Sequence, residues 1–235
     1  HLGAPKAGKI ILEGDRLGIP FLEEDRIRDI AMNSPALHQL LPNFTYFYEF
    51  QGYLQRYSFS GGSLMNYTET TDFFVGEKSA NPVMFGIAGD FNGEHLEDMN
   101  FGDIETYNIV GCKSPTQAAY KFSIGDSSIS HIGYTSGDGT VPLVSADYVD
   151  IPVSHKFYAK EANHAELPST GGVRELVSQV LRGDTVELAN NVSGDSSFCN
   201  FKGNKLTWHS PVAIHVYDSL GRHTGPTSGN SIEYG

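Results

Sequence analysis

The chain has 235 residues, 39% hydrophobic and 19% charged, enough for one large domain or a domain with a small appendage and too apolar for a disordered chain. Sixteen basic against 28 acidic residues give a net charge of −12, and no Lys/Arg run exceeds two, which argues against nucleic acid as a partner because a phosphate backbone needs a basic surface. No apolar run approaches the roughly 18 residues of a membrane-crossing helix and no signal-peptide pattern is visible. Two cysteines, Cys112 and Cys199, are too few for a zinc cluster or a disulfide framework.

His1-Leu2-Gly3-Ala4-Pro5 reads as a loop without an initiating Met, so the chain is expected to be a piece of a longer one. Residues 1–42 are mainly helical. Ile10, Ile11 and Leu12 form an apolar clump that Gly14 ends. Glu23 to Met32 puts Ile27, Ile30 and Ala31 on one helical face, and Ser34 caps a helix that opens with Pro35 and is closed by Pro42. Residues 43–102 lack clear periodicity yet hold just over half of the aromatic residues. Two compatible readings apply: a loop-rich subdomain with its own aromatic core, or a lid whose aromatic inner face, including Phe44, Phe47, Tyr48, Phe73 and Phe74, lines an apolar substrate pocket.

Between 103 and 183 strands, loops and one helix alternate. Ile104–Gly111 is strand-like, Tyr120–Tyr134 reads as a hairpin turning at Gly125-Asp126, His155–Ala159 is a short strand, and Val173–Leu181 is an amphipathic helix stopped by Gly183. Beyond Asp184 the sequence turns rich in Asn, Ser, Gly and Thr, with Val212–Tyr217 as its clearest strand. A boundary is therefore placed near 184.

Two short stretches carry chemistry. In Ser136-Gly137-Asp138-Gly139-Thr140-Val141-Pro142 a carboxylate sits between two glycines on a tight turn. An ordinary turn Asp, or one ligand of a calcium loop, would look the same. In Asn163-His164-Ala165-Glu166-Leu167-Pro168 a histidine lies on a strand-to-helix loop, where α/β folds place functional groups. An acid after one strand and a histidine after the next suit an orienting carboxylate and a general base. His131, His155, His209, His215 and His223 lack metal-ligand spacing, and Asp126, Asp147 and Asp150 lie in no EF-hand-like loop. Cys112 and Cys199 are compatible with a disulfide or with free thiols. Asn43, Asn66 and Asn191 each open a glycosylation-like triplet.

Four motifs resemble the lecithin:cholesterol acyltransferase-like, lipase branch of the α/β-hydrolases: His1-Leu2-Gly3-Ala4-Pro5-Lys6-Ala7, Ser34-Pro35-Ala36-Leu37-His38-Gln39-Leu40-Leu41-Pro42, Gly137-Asp138-Gly139-Thr140-Val141-Pro142, and His164 with Pro168 and Ser169. They cover roughly residues 1–182 in the family's order. The resemblance implies an α/β fold: the C-terminal part of an α/β-hydrolase over 1–183, with 43–102 as lid, followed by a β-rich extension over 184–235. It makes Asp138 the triad acid and His164 the triad base, with no cofactor or metal. The family's nucleophile is a serine on a Gly-x-Ser-x-Gly elbow, which this sequence lacks; Gly61-Gly62-Ser63-Leu64-Met65 has no closing glycine. The nucleophile is expected upstream of His1, so the missing N-terminal segment would be a partner and the 235 residues alone would be inactive.

Ser210 to Arg222 resembles the opening of small β-rich modules on bacterial and archaeal surface proteins, which implies an extracellular or cell-surface prokaryotic location. The function so implied is a serine-type lipase, esterase or O-acyltransferase acting on lipid-like esters, with an amidase or peptidase as a lesser option. The alternative from another class is a non-catalytic surface or adhesion module with a degenerate hydrolase core.

Overall fold

A computed structural model describes residues 1–15, 23–58, 61–93, 101–123, 129–160, 162–200, 215–217, 219–220, 222–226 and 232–233. The chain divides into two compact units, His1–Phe201 and Lys202–Gly235.

The first unit is mixed α/β. Helix α1 (Pro5–Glu13) has Pro in its first turn, buries Ala7, Ile11 and Leu12, and stops at Gly14, whose φ of 75° only glycine adopts without strain. Helix α2 (Glu24–Met32) departs from the expected apolar face, because Ala31 is buried but Ile30 is exposed. A guanidinium does the anchoring: Arg28 Nε donates to Leu12 O at 2.8 Å and Nη2 to Lys78 O at 2.9 Å. Helix α3 (Pro35–Gln39) starts as expected, with Ser34 Oγ accepting from the Leu37 amide.

Residues 43–102 hold more regular structure than their pattern suggests. Helix α4 (Phe44–Phe50), the hairpin β1 (Leu54–Ser58) and β2 (Gly61–Leu64), helix α5 (Tyr67–Asp72) with a wider π turn after it (Phe73–Glu77), and helix α6 (Pro82–Asn92) follow in order. Their starts come from caps: the side chains of Asn43, Asn66 and Asn81 accept from the amides of Tyr46, Glu69 and Val83. Aromatics there are so dense that no helical stripe stands out.

Strands β3 (Asn108–Cys112), β4 (Ser114–Ser123) and β5 (Ile129–Gly137) lead to the short helix α7 (Leu143–Ala146). After them come β6 (Lys156–Lys160), helix α8 (Val173–Arg182) and β7 (Val192–Ser193). One sheet has the order β2-β1-β4-β5, with β1 parallel to β4 and β4 antiparallel to β5. The turn expected at Gly125-Asp126 lies outside the described residues. The other sheet is β3-β6-β7, with β3 parallel to β6 and β7 antiparallel to it. Residues 184–200, past the change in composition at 184, belong to the first unit through β7 and through a disulfide between Cys112 and Cys199. Among the described residues no helix is long and apolar enough to cross a membrane.

The largest core cluster joins α1 to the aromatic region: Ile11 and Leu12 pack with Tyr46, Phe47, Tyr53, Phe73, Phe74, Tyr120 and Phe122. A second lies between β6 and α8, around Phe157, Ala159, Val173 and Leu176. Burial pushes the Tyr46 hydroxyl up to about 12, as expected for a phenol kept from water. The second unit carries β8 (Val216–Tyr217), β9 (His223–Pro226) and β10 (Ile232–Glu233), with β9 central and both pairings antiparallel. Residues 201–214, including the first half of the strand expected over Val212–Tyr217, lie outside the described residues.

Two stability outcomes follow from this core. Replacing both Cys112 and Cys199 by Ala removes a crosslink across 87 residues, and urea denaturation should show a loss of about 2–4 kcal/mol. Burial also holds the His38 imidazole below the ordinary histidine pKa, against the smaller upward pull of the Ser34 carbonyl. The unfolded chain then takes up the proton first, so stability is intact above about pH 6.5 and falls as pH drops below it. His38→Gln should flatten that acid limb.

Candidate active site

Strand β5 ends at Gly137, and the chain turns through Asp138-Gly139-Thr140-Val141 before α7. The turn closes on its own carboxylate: Asp138 Oδ1 accepts from the Thr140 amide at 2.9 Å and the Val141 amide at 2.8 Å. Gly139 has φ of 88°, and its amide donates to Thr116 Oγ1 at 2.8 Å. Thr116, fully buried on β4, in turn donates a hydrogen bond from its hydroxyl to Ser114 O at 3.0 Å. Gly137 has no room for a side chain, since a Cβ would run into Val141 O and the Thr116 side chain.

His164 lies four residues past the end of β6. Its amide donates to the Asp138 carbonyl at 2.9 Å, and its ring Nδ1 lies 2.8 Å from Asp138 Oδ2. A carboxylate can only accept, so Nδ1 carries the proton and neutral His164 presents Nε2 as the acceptor. The acid side chain is 7% exposed and the imidazole 52%. A buried, triply hydrogen-bonded carboxylate thus orients a ring whose other nitrogen is left to take a proton. Such an arrangement suits an orienting acid and a general base.

Two supports of this pair were faint or silent in the sequence. A Cβ on Gly111 would lie 2.8 Å from Asp138 Cβ and 3.0 Å from Ala162 O, so β3 passes beside both loops only because residue 111 is glycine. A glycine within a strand marks such a close approach. Thr116 gave no signal, because its hydroxyl reaches the acid turn only through strand pairing. Cys112, next to Gly111, ties β3 to the turn at Ser196–Cys199.

The N-terminal loop lies against the helix that follows the acid. Leu2 N donates to Ser145 O at 3.2 Å and Ser145 Oγ to Gly3 O at 2.6 Å, while the Asn43 amide donates to Leu2 O at 2.9 Å. Of the five aromatics assigned to the lid, Phe47, Phe73 and Phe74 are buried in the main core, whereas Phe44 and Tyr48 are 60% and 78% exposed on α4. Ser63 lies on β2 at the sheet edge opposite β5, three strand spacings or roughly 14 Å across. Ser136, buried on β5, accepts from the Lys113 amide. Asp147 accepts from the Tyr158 hydroxyl, and no group of three metal-ligating side chains occurs among the described residues.

Comparison of the chain with protein-family models finds no match, and neither does comparison with curated proteins.

Gly111→Ala should displace the acid turn and cost about 1–3 kcal/mol in urea denaturation. Gly194→Ala, at a position where a Cβ meets nothing within 4 Å, should stay within about 0.5 kcal/mol of the parent.

Proposed function

We propose that Asp138 and His164 are the acid and base of a serine-type hydrolase or O-acyltransferase acting on lipid-like esters, and that residues 1–183 form the C-terminal part of an α/β-hydrolase. The 2.8 Å contact between a buried carboxylate and a half-exposed imidazole carries this reading. His164 Nε2 takes the proton of a serine as that serine attacks the ester carbonyl, and then returns it to the leaving alcohol. Asp138 holds the tautomer and stabilises the imidazolium that forms between the two steps. Water as the second acceptor gives a lipase or esterase; an alcohol gives an acyltransferase.

The serine is proposed to come from a segment preceding His1, on a Gly-x-Ser-x-Gly elbow. Ser63 is on the wrong sheet edge and Ser136 is buried. Residues 43–102 are proposed as the lid, with exposed Phe44 and Tyr48 available to an apolar chain while Phe47, Phe73 and Phe74 hold the lid to the core. An extracellular or cell-surface setting agrees with the disulfide, because such bonds persist in oxidising compartments.

The test is fluorophosphonate labelling and ester turnover by the polypeptide as its gene encodes it. One serine preceding His1 should be labelled, and Asp138→Asn should lower kcat by on the order of 10⁴. Residues 1–235 alone should turn over no chromogenic ester. Turnover by that piece that is lost on changing Ser63 or Ser136 would overturn the assignment of the nucleophile. Absence of labelling and turnover in the whole polypeptide would leave a non-catalytic surface module.

A further inference from the structure

Away from Asp138 and His164, a cavity of about 20 Å³ lies among α3, α4, α5 and α6. Phe47, Tyr53, Tyr67 and Phe85 are among its lining residues, and two buried polar atoms on other lining residues have no partner: His38 Nε2 and Asn92 Oδ1. His38 is fully buried and Asn92 is 8% exposed. The His38 ring is held edge-on to Phe85 at 4.8 Å, and its Nδ1 lies 2.9 Å from the Ser34 carbonyl. A carbonyl cannot donate, so Nδ1 carries the proton and Nε2 is an acceptor.

Two residues that line one small space therefore each carry a buried acceptor without a partner. The threonine hydroxyls that also border it donate elsewhere, Thr71 to Tyr67 O at 3.0 Å and Thr70 to Met65 O at 3.5 Å. A buried acceptor without a donor costs about 1–3 kcal/mol, so two in one cavity call for a bound donor. A water needs roughly 10–15 Å³ of such space, whereas organic ligand pockets run to several hundred.

We infer that the cavity is a resident water site: one molecule donates one hydrogen to His38 Nε2 and the other to Asn92 Oδ1. That water clasps the last residue of α6 to α3. The first turn of α6 is already tied to the neighbouring segment, since Asn81 Nδ2 donates to Asn33 Oδ1 at 3.0 Å. The helix is then fastened at both ends by polar links laid across an apolar contact.

A high-resolution crystal structure of the full chain should show one water within about 2.7–3.2 Å of both atoms. In solution, magnetisation should pass between water and the His38 ring of the unaltered protein, a readout that needs no variant to fold. His38→Phe and Asn92→Leu should each lower the folding constant by about tenfold, and the double variant by clearly less than a hundredfold, because removing both acceptors leaves no orphan. An empty cavity, an Asn92 amide nitrogen bonded directly to His38 Nε2, or fully additive variants would overturn the inference. So would stabilisation by ammonium chloride but not sodium chloride at equal ionic strength, which would make the occupant a cation.

Discussion

The carboxylate of Asp138 is the point on which the candidate site depends. Its two oxygens take three hydrogen bonds, two from the turn that follows it and one from His164. Bonds to an ionised acceptor are the stronger kind, and here they serve two ends at once. They fold the Gly137–Pro142 turn, and they set the plane and tautomer of the imidazole. Everything nearby is cut to admit that carboxylate: glycine at 111 and 137, a buried hydroxyl at Thr116, and a main-chain bond from the His164 amide to the Asp138 carbonyl.

Strand pairing brings these pieces together. The start of β4 bridges to Asp138 next to the end of β5, while β3 and β6 run parallel and end side by side. The acid loop and the histidine loop therefore emerge at neighbouring strand ends. The disulfide at Cys112 and the strap from Ser145 to Gly3 hold the two sides of this junction. The aromatic region supports it from a distance, packing Tyr46, Phe47, Tyr53 and Phe74 against α1 and β4 in one continuous core.

Local signals were legible where chemistry is local. Ser34 before Pro35, Gly183 after the Val173 helix and Asp138 between two glycines each announce a backbone event within a few residues, and each event is present. The amphipathic helix was legible from its period, and the short strand before His164 lies within one residue of its expected place. What stayed hidden depends on partners far along the chain. Gly111 matters because Asp138 is beside it, Thr116 because Gly139 is, and Arg28 because two carbonyls of other segments converge on it. The aromatic region misled for another reason: with rings at so many positions, period carries no information, and its helices begin at asparagine caps instead.

The tautomer of His164 tests the central claim most directly. Free imidazole favours the proton on Nε2, and a fixed acceptor at Nδ1 reverses that preference. Nitrogen-15 NMR of the chain, with His164 assigned through its replacement by Gln, should show a protonated Nδ1 and an unprotonated Nε2 at neutral or mildly alkaline pH. Asp138→Asn should abolish the preference. A His164 with its proton on Nε2, unaffected by Asp138→Asn, would mean that Asp138 does not orient His164.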